Sequence, residues 1–302
     1  MSDVEFIAVG ADTTSNGTIK YSPDGKVWNN ITSGGFSVNG YGVAYSPTQN
    51  LWVAVGQDAS SNGTIKYSPD GKVWNNITSN GFSGVLGGYG VAYSPTQNLW
   101  VAVGTDSTSN GTIKYSPDGK TWNNITSNGF TGTDGGYGVT YSPTQKLWVT
   151  VGNDASSNGT IKYSPDGKTW TNISSGGFQN GSYGGNNISY SPYKDLWVAV
   201  GINQTDTNKT IKYSSDIKNW TDITSNGFST GLELYGVSYC PSLDLWVAVG
   251  LDSTTTGTIK YSSDGKNWTN ISSGGFQTGA NNGGSGITCK SGSVIFSPKL
   301  IV

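Results

Sequence analysis

Short apolar segments recur along the chain at a nearly constant spacing, and polar, glycine-rich segments separate them. In the second copy the apolar segments are Tyr41–Ser46, Leu51–Val55, Thr64–Tyr67 and Val73–Ile77. Their length and their content of β-branched and aromatic residues are typical of β-strands. Leu51–Val55 is apolar at every position, which indicates a strand buried on both faces. The pattern therefore predicts an all-β fold with four short strands in each copy.

The third and fourth strands of each copy are joined by a turn of fixed chemistry. In the turn Ser22-Pro23-Asp24-Gly25, proline fixes the first corner, the aspartate accepts hydrogen bonds from nearby backbone N–H groups, and glycine supplies a left-handed residue. The tryptophan that follows recurs as Trp28, Trp74, Trp122, Trp170, Trp220 and Trp268. The intervals are 46, 48, 48, 50 and 48 residues by subtraction. A period of about 40 to 50 residues built from short strands is the signature of a β-propeller with one blade per repeat.

The two ends of the chain predict how the ring of blades closes. Val4–Gly10 matches the second strand of the other copies, with Phe6 in the place of Trp52, so the first blade lacks a first strand. Ser293–Pro298 matches a first strand and is expected to complete that blade, which covers the last sheet edge. We therefore expect a single domain over residues 1–302, a six-bladed β-propeller of four-stranded antiparallel blades closed by its C-terminal strand.

Two residue types are missing from the sequence, and their absence excludes several kinds of catalytic and binding site. The chain has no histidine, and all 17 of its basic residues are lysines. This excludes Ser-His-Asp catalysis, the common zinc sites and the bidentate arginine clamp for carboxylate or phosphate. The net charge of −2 and the lack of a basic run argue against nucleic acid or an anionic membrane as partner. We expect no cofactor and no metal.

The compartment and the oligomeric state follow from weaker signals. No apolar run is long enough for a membrane span and no export signal opens the chain, so we expect a soluble monomer, cytoplasmic by default. Two cysteines do not make a disulfide framework, and we expect Cys240 and Cys289 to be reduced, with a bridge between them as the alternative.

The recurring turn Ser22-x-Asp24-Gly25-x-x-Trp28 resembles the Asp-box, or bacterial neuraminidase repeat, of the sialidase-like propellers, although it is one residue shorter than the common form. We interpret the box aspartates as structural turn acceptors rather than catalytic or metal-binding groups. They are Asp24, Asp70, Asp118, Asp166, Asp216 and Asp264. In blade five Ile217 replaces the glycine, and because a β-branched residue is costly in a left-handed conformation, we expect Ile217→Gly to raise the melting temperature.

The resemblance implies an enzyme site that this chain does not carry. Sialidases of this fold hold the substrate carboxylate with three arginines and use a tyrosine with a glutamate partner and an acid aspartate. Because the chain has no arginine, we expect no sialidase activity, no catalytic residues and no enzyme. A hydrolase built on one asymmetric carboxylate, Glu233, is the remaining enzymatic alternative.

The loops opposite the Asp-boxes carry the candidate ligand-binding groups, which are carboxylates, amides and phenylalanine rings at repeated positions. They are Asp12, Asp58, Asp106, Asp154, Asp252, Asn16, Asn62, Asn110, Asn158, Phe36, Phe82, Phe130, Phe178, Phe228 and Phe276. For the aspartates the alternative is a solvated loop whose carboxylate closes its own turn, and for the phenylalanines it is a plug between blades. The repeated tryptophans, including Trp52, Trp100, Trp148, Trp197 and Trp246, are interpreted as packing between blades.

These observations favour a binding propeller, lectin-like and without enzymatic activity, with weak carbohydrate sites between adjacent blades whose number raises avidity. The alternative is a structural or protein-interaction platform. Its contact surface would lie where the repeats lose their symmetry, at Lys209, Leu232–Leu234 and Ala280–Gly292. The expected partner is therefore a glycan or a protein surface.

Overall fold

The structure, a computed structural model, describes residues 4–84, 87–132, 135–179, 184–203, 206–228 and 234–276. The described part is all-β and forms six antiparallel sheets, of which five have four strands and the first has three. Strands are hydrogen-bonded in chain order within each sheet. We number the sheets one to six along the chain.

The strands of sheets one to three are β1 (Phe6–Val9), β2 (Ile19–Ser22), β3 (Asn29–Asn30); β4 (Asn39–Ser46), β5 (Leu51–Gln57), β6 (Ile65–Ser68), β7 (Asn75–Asn76); β8 (Gly88–Ser94), β9 (Leu99–Gly104), β10 (Ile113–Ser116) and β11 (Asn123–Asn124). Those of sheets four to six are β12 (Gly136–Ser142), β13 (Leu147–Gly152), β14 (Ile161–Ser164), β15 (Thr171–Asn172); β16 (Gly185–Ser191), β17 (Leu196–Gly201), β18 (Ile211–Ser214), β19 (Thr221–Asp222); β20 (Leu234–Cys240), β21 (Leu245–Gly250), β22 (Ile259–Ser262) and β23 (Thr269–Asn270). Short 3₁₀ helices precede the third strands at Ser15–Gly17, Ser61–Thr64, Ser109–Thr112, Ser157–Thr160, Thr207–Thr210 and Thr255–Thr258.

The four strands predicted for the second copy are present as β4 to β7. The predicted fourth strand, Val73–Ile77, is shorter than expected, because only Asn75–Asn76 pairs with β6. Such a short edge strand offers few unpaired backbone groups to another chain. In the first sheet β1 pairs with β2 in the register that β5 has with β6, so β1 is a second strand, as predicted.

The sheets pack face to face in chain order, and the core lies between them. One face of the second sheet, with Leu51, Val53 and Val55, shares an apolar cluster with Trp100 and Trp122 of the third. Four second-strand tryptophans have no exposed surface: Trp100, Trp148, Trp197 and Trp246. These contacts agree with the interpretation of the tryptophans as packing residues.

The first strands of successive sheets lie side by side, so that β4 contacts β8, β8 contacts β12, β12 contacts β16 and β16 contacts β20. We call this side of the sheets the inner edge. The strands approach so closely that a Cβ at Gly42 would lie 2.8 Å from the carbonyl oxygen of Tyr89. Only glycine fits such a distance.

The C-terminal predictions have two outcomes. The closing strand Ser293–Pro298 lies outside the described residues, as does Cys289. Cys240, at the end of β20, is in a disulfide bond, so the expectation of a reduced thiol is wrong. The error has a physical cause: cysteines form a bridge when the fold brings their Cα atoms within about 7 Å, which a count of cysteines cannot show.

Candidate functional site

A buried lysine lies in the interface between neighbouring sheets. In the second sheet Lys66 Nζ is 3.1 Å from Asp58 Oδ2 and donates a 2.6 Å hydrogen bond to Asn76 Oδ1. Nζ also lies 5.2 Å from the ring centroid of Phe36, which follows the last strand of the preceding sheet, and this distance is within cation–π range. The same three contacts surround Lys114, Lys162 and Lys260.

The buried lysine explains the repeated loop aspartate. Burial lowers the pKa of Lys66, and Asp58 opposes this by favouring the charged form. A buried ammonium group is costly unless it is paired and hydrogen-bonded. The five aspartates predicted to bind ligand each pair with the lysine of the third strand in their own copy, which is buried in four copies and partly exposed at Lys20: Asp12, Asp58, Asp106, Asp154 and Asp252. The structure therefore places these carboxylates as counterions within the chain.

The predicted loop amides also bond within the chain. Asn62 Nδ2 donates a 3.0 Å hydrogen bond to the carbonyl oxygen of Thr78, which ties the 3₁₀ helix to the segment after the fourth strand. Equivalent bonds are donated by Asn16, Asn110 and Asn158.

The predicted phenylalanines lie between sheets. The Phe36 backbone N–H donates a 2.8 Å hydrogen bond to Thr18 Oγ1, which turns the ring into the core. Five of the rings are at most 1% exposed: Phe36, Phe82, Phe130, Phe178 and Phe228. Of the two alternatives, the structure favours the plug between blades for these five. Phe276, in the sixth sheet, differs because it is 44% exposed.

Each box aspartate accepts hydrogen bonds from backbone N–H groups of its own turn. Asp70 Oδ1 accepts hydrogen bonds from the backbone N–H groups of Lys72 and Val73, at 2.8 and 2.9 Å. Trp74 Nε1 donates to the carbonyl oxygen of Gly71 at 3.2 Å. The aspartate-to-backbone bonds recur at Asp24, Asp118, Asp166, Asp216 and Asp264.

A row of tyrosine rings lies at the inner edge, near the ends of the first strands that meet the loops. We call Tyr41, Tyr89 and Tyr137 the tyrosine arc. The ring centroids of Tyr41 and Tyr89 are 5.2 Å apart, and those of Tyr89 and Tyr137 are 5.0 Å apart. Tyr41 is exposed and the other two are partly buried. These rings therefore form a continuous aromatic surface that is at least partly accessible at the inner edge.

Amide groups contact the arc at Tyr41. The Tyr41 hydroxyl accepts a 3.3 Å hydrogen bond from Asn39 Nδ2 and donates a 3.4 Å bond to Gln57 Oε1. We did not predict the arc from the sequence. Its signal was the Gly-Tyr-Gly near the start of β4, β8 and β12, because glycine on both sides lets the rings of adjacent strands approach.

Two kinds of site are not found in the described part of the chain. It contains no group of three or more histidine, cysteine, aspartate or glutamate residues that could hold a metal ion. Its helices are too short and too polar to cross a membrane. The asymmetric candidates Glu233, Leu232 and Ala280–Gly292 lie outside the described residues.

No family model and no curated protein matches the chain. Among solved structures it is similar to a GH74 enzyme of Niastella koreensis, with 17% identity, a TM-score of 0.62 and coverage of 89% of this chain and 45% of that one. A nidogen/laminin complex matches with 13% identity, a TM-score of 0.54 and coverage of 82% and 86%. Virginiamycin B lyase from Staphylococcus aureus matches with 12% identity, a TM-score of 0.54 and coverage of 77% and 69%.

These similarities support the β-propeller fold. The chain spans about half the length of the GH74 enzyme. They also overturn the expectation that the chain is not an enzyme, because two of the three structures are enzymes. The missing arginine and histidine exclude only the chemistries that need those side chains, and a propeller can carry others.

Proposed function

We propose that this chain is a closed six-bladed propeller that binds carbohydrate at the tyrosine arc. The observation that carries the proposal is the arc itself, in which three accessible rings lie 5.0 to 5.2 Å apart beside amide groups. Tyrosine offers an apolar face and a polar hydroxyl, a combination suited to the C–H and O–H groups of a sugar.

The repeated loops position the arc in this proposal. Asp58 and Asn62 hold the loop that begins at Gln57, and Gln57 accepts the hydrogen bond of Tyr41. Because the loop carboxylates and amides already have partners within the chain, we assign sugar contact to the tyrosines and the neighbouring amides. The loops then contribute to sugar binding only by holding the tyrosine arc in place.

The proposed ring is one domain over residues 1–302, in which Ser293–Pro298 completes the first sheet. Kinship with the sialidase-like propellers is supported by six turns that share the Asp-box hydrogen bonds. The disulfide at Cys240 supports an oxidising compartment rather than the cytoplasm.

The test is calorimetry with oligosaccharides selected on a glycan array, using the wild-type chain and the variants Tyr89→Ala and Tyr137→Ala. We expect each variant to weaken binding at least tenfold, about 1.4 kcal/mol, because each removes one stacking face. Tyr115→Ala is the matched control, since Tyr115 lies in the same sheet as Tyr89 but on the third strand. Loss of binding in the control alone, or no binding by the wild-type chain, would contradict the proposal.

The same samples are assayed for cleavage of each oligosaccharide, because two of the similar structures are enzymes. Turnover that disappears in Tyr89→Ala but not in Tyr115→Ala would place a reaction at the arc. Binding without turnover would leave the arc as a recognition site.

A further inference from the structure

The tripeptide Asn-x-Ser/Thr recurs along the chain at three kinds of position. The loop sequon, as in Asn62-Gly63-Thr64, lies in the 3₁₀ helix; the edge sequon, as in Asn76-Ile77-Thr78, begins in the fourth strand; and the turn sequon, as in Asn267-Trp268-Thr269, runs from the last turn of a sheet into its fourth strand. Such a tripeptide is the acceptor motif for N-glycosylation. Because so short a motif also arises by composition in a polar repeat, the surroundings of each asparagine decide whether it is a modification site.

The edge sequon lies on the outermost strand of its sheet. β7 is hydrogen-bonded to β6 alone among the described strands, so it forms the edge opposite the inner edge. Asn76 and Thr78 are exposed, whereas Ile77 between them is buried. This alternation is that of a strand whose polar side chains point away from the core. The amide and the hydroxyl that a glycosylating enzyme must reach are therefore both accessible.

The two ends of the Asn76 amide have different surroundings. Oδ1 accepts the 2.6 Å hydrogen bond from Lys66 Nζ, whereas no described residue accepts a hydrogen bond from Nδ2. N-glycosylation replaces one hydrogen of Nδ2 and leaves Oδ1 as an acceptor. A glycan on Asn76 is therefore compatible with the contact that Oδ1 makes to the buried lysine.

The same arrangement recurs on the fourth strands of four other sheets. The asparagine Oδ1 accepts a 2.6 to 2.8 Å hydrogen bond from the third-strand lysine at Asn30, Asn124, Asn172 and Asn270. The hydroxyl residue of each of these sequons is exposed: Thr32, Thr126, Ser174 and Ser272. The fifth sheet is the exception, because Asp222 takes the place of the asparagine.

The loop sequons are part of the packing of the loops. Thr64 is 2% exposed, and its Oγ1 donates a 2.6 Å hydrogen bond to the carbonyl oxygen of Ser61 and accepts one of 2.8 Å from the Phe82 N–H. The threonine is also buried in the other loop sequons, at Thr18, Thr112, Thr160 and Thr210. Nδ2 of Asn62 already donates to the carbonyl oxygen of Thr78. In the folded chain the hydroxyl of a loop sequon is therefore not accessible to an enzyme.

The turn sequons use their amide nitrogen within the turn. Asn219 Nδ2 donates a 2.8 Å hydrogen bond to Asp216 Oδ2, and Asn267 Nδ2 donates one of 2.7 Å to Asp264 Oδ2. Both carboxylates are acceptors that hold these nitrogens close to the turn. Of the three kinds, the edge sequon is thus the one with an unbonded amide nitrogen and an exposed hydroxyl.

We propose that the fourth-strand asparagines are N-glycosylation sites, namely Asn30, Asn76, Asn124, Asn172 and Asn270. The co-substrate is an oligosaccharide linked to a lipid diphosphate. Asparagine Nδ2 forms a bond to the anomeric carbon of the oligosaccharide and loses a proton, while the bond from that carbon to the diphosphate oxygen breaks and the lipid diphosphate leaves with the electron pair. The glycans would cover sheet edges, whose unpaired backbone groups otherwise invite pairing with another chain.

The inference shares with the proposed function only the oxidising compartment that the disulfide at Cys240 supports, because N-glycans are added in such compartments. It uses neither the tyrosine arc nor the closing strand. The sites lie at the edge opposite the inner edge, so the glycans leave the arc free.

The test is mass spectrometry of the full chain secreted by a eukaryotic cell behind a cleavable signal. An amidase that removes N-glycans converts each asparagine that carried one to aspartate, which marks the site in the peptide map. We expect the marks on the edge sequons and not on Asn62 or its counterparts in the other loop sequons. A secreted chain without N-glycans, or one with glycans on the loop sequons instead, would overturn the proposal.

Thr78→Ala removes one edge sequon without touching the contact between Asn76 and Lys66. We expect this variant to lose the glycan of Asn76, and its melting temperature after removal of the remaining glycans to equal that of the wild-type chain, because Thr78 is exposed. Ser79→Ala is the matched control, since it removes the next exposed hydroxyl, which lies outside the sequon. A glycan retained in Thr78→Ala, or lost in Ser79→Ala, would contradict the assignment of Asn76.

The fifth sheet allows the reverse experiment. Asp222→Asn creates the missing edge sequon there, since Thr224 is exposed at its third position. Asn203→Asp is added so that Lys212 keeps a carboxylate nearby. We expect the double variant to gain one glycan at position 222, and a folded, secreted double variant without it would count against the proposal.

Sugar binding by the wild-type chain before and after removal of its glycans reports on the tyrosine arc separately. We expect the same affinity in both forms. Glycan mapping and sugar binding are independent measurements, so either proposal can fail while the other holds.

Discussion

Ile217 lies in the left-handed region of the backbone, at φ +64°, where the other five turns of this kind have glycine. The turn is otherwise unchanged: the Ile217 N–H donates to Ser214 Oγ at 2.9 Å, and its carbonyl oxygen accepts from Trp220 Nε1 at 3.0 Å. The side chain is 3% exposed and joins the apolar cluster between the fourth and fifth sheets. Strain and burial therefore act in opposite directions at this residue.

The magnitudes decide the sign for Ile217→Gly. Burying an isoleucine contributes about 1.5–3 kcal/mol, whereas the left-handed conformation costs about 1–2 kcal/mol. We now expect the variant to lower the free energy of unfolding by about 1 kcal/mol, opposite to the effect expected from the sequence alone. Thermal and urea unfolding would measure it, with Ile217→Val as the control that keeps the backbone strain. A higher melting temperature for Ile217→Gly would show that strain outweighs burial.

In the fifth sheet an aspartate and an asparagine near the buried lysine are exchanged relative to the second sheet. Lys212 on β18 is paired in register with Asp222 on β19, as Lys66 is with Asn76 in the second sheet, and the two form an ion pair. Asn203 lies two residues after Gly201 of β17, just as Asp58 lies two residues after Gly56 of β5, and it is buried. The carboxylate and the amide have changed places. The sheet still supplies one carboxylate for its buried lysine.

Asp222→Asn should therefore destabilise the fifth sheet, and adding Asn203→Asp should restore it. The single change leaves Lys212 without its adjacent carboxylate, and we expect a loss of about 2–3 kcal/mol. This is less than for a fully buried pair, because the Asp222 side chain is 34% exposed. Urea unfolding of the single and double variants measures the effect. If the double variant is no more stable than Asp222→Asn, a carboxylate at position 203 does not replace the one at position 222.

The elements also show which parts of the fold and site the sequence could predict. Strands and turns depend on residues close in sequence, so the all-β class and the order of the antiparallel strands were predicted correctly. The role of Asp58 depends on contacts with Lys66, on the next strand, and with Phe36, in the preceding sheet. A loop aspartate that binds a ligand and one that pairs with a buried lysine have the same local sequence. The available signal was a lysine between apolar residues, which recurs in the third strand of each copy.

Over the whole molecule, the pKa values of the six box aspartates are shifted in the same direction. The pKa of each box aspartate lies below its ordinary value. At Asp264 partial burial opposes ionisation, but hydrogen bonds from Asn267, Lys266 and Ser262 outweigh it and lower the pKa from 3.8 to about 2. A carboxyl group with a lower pKa in the folded state stabilises the fold above its unfolded pKa, and this contribution is lost as the pH falls toward the folded value.

We therefore expect the melting temperature to be nearly constant from pH 7 to 5, where the chain has no histidine to titrate. It should then fall steeply between about pH 4 and 2, because six turns take up protons in the unfolded state before they do so in the folded state. Calorimetry in steps of pH measures the curve. Asp264→Asn removes one titrating group and should make the acid limb shallower. A melting temperature that stays flat to pH 2.5 would show that the box hydrogen bonds do not depend on ionised aspartate, and stability in acid would then come from the packing between sheets alone.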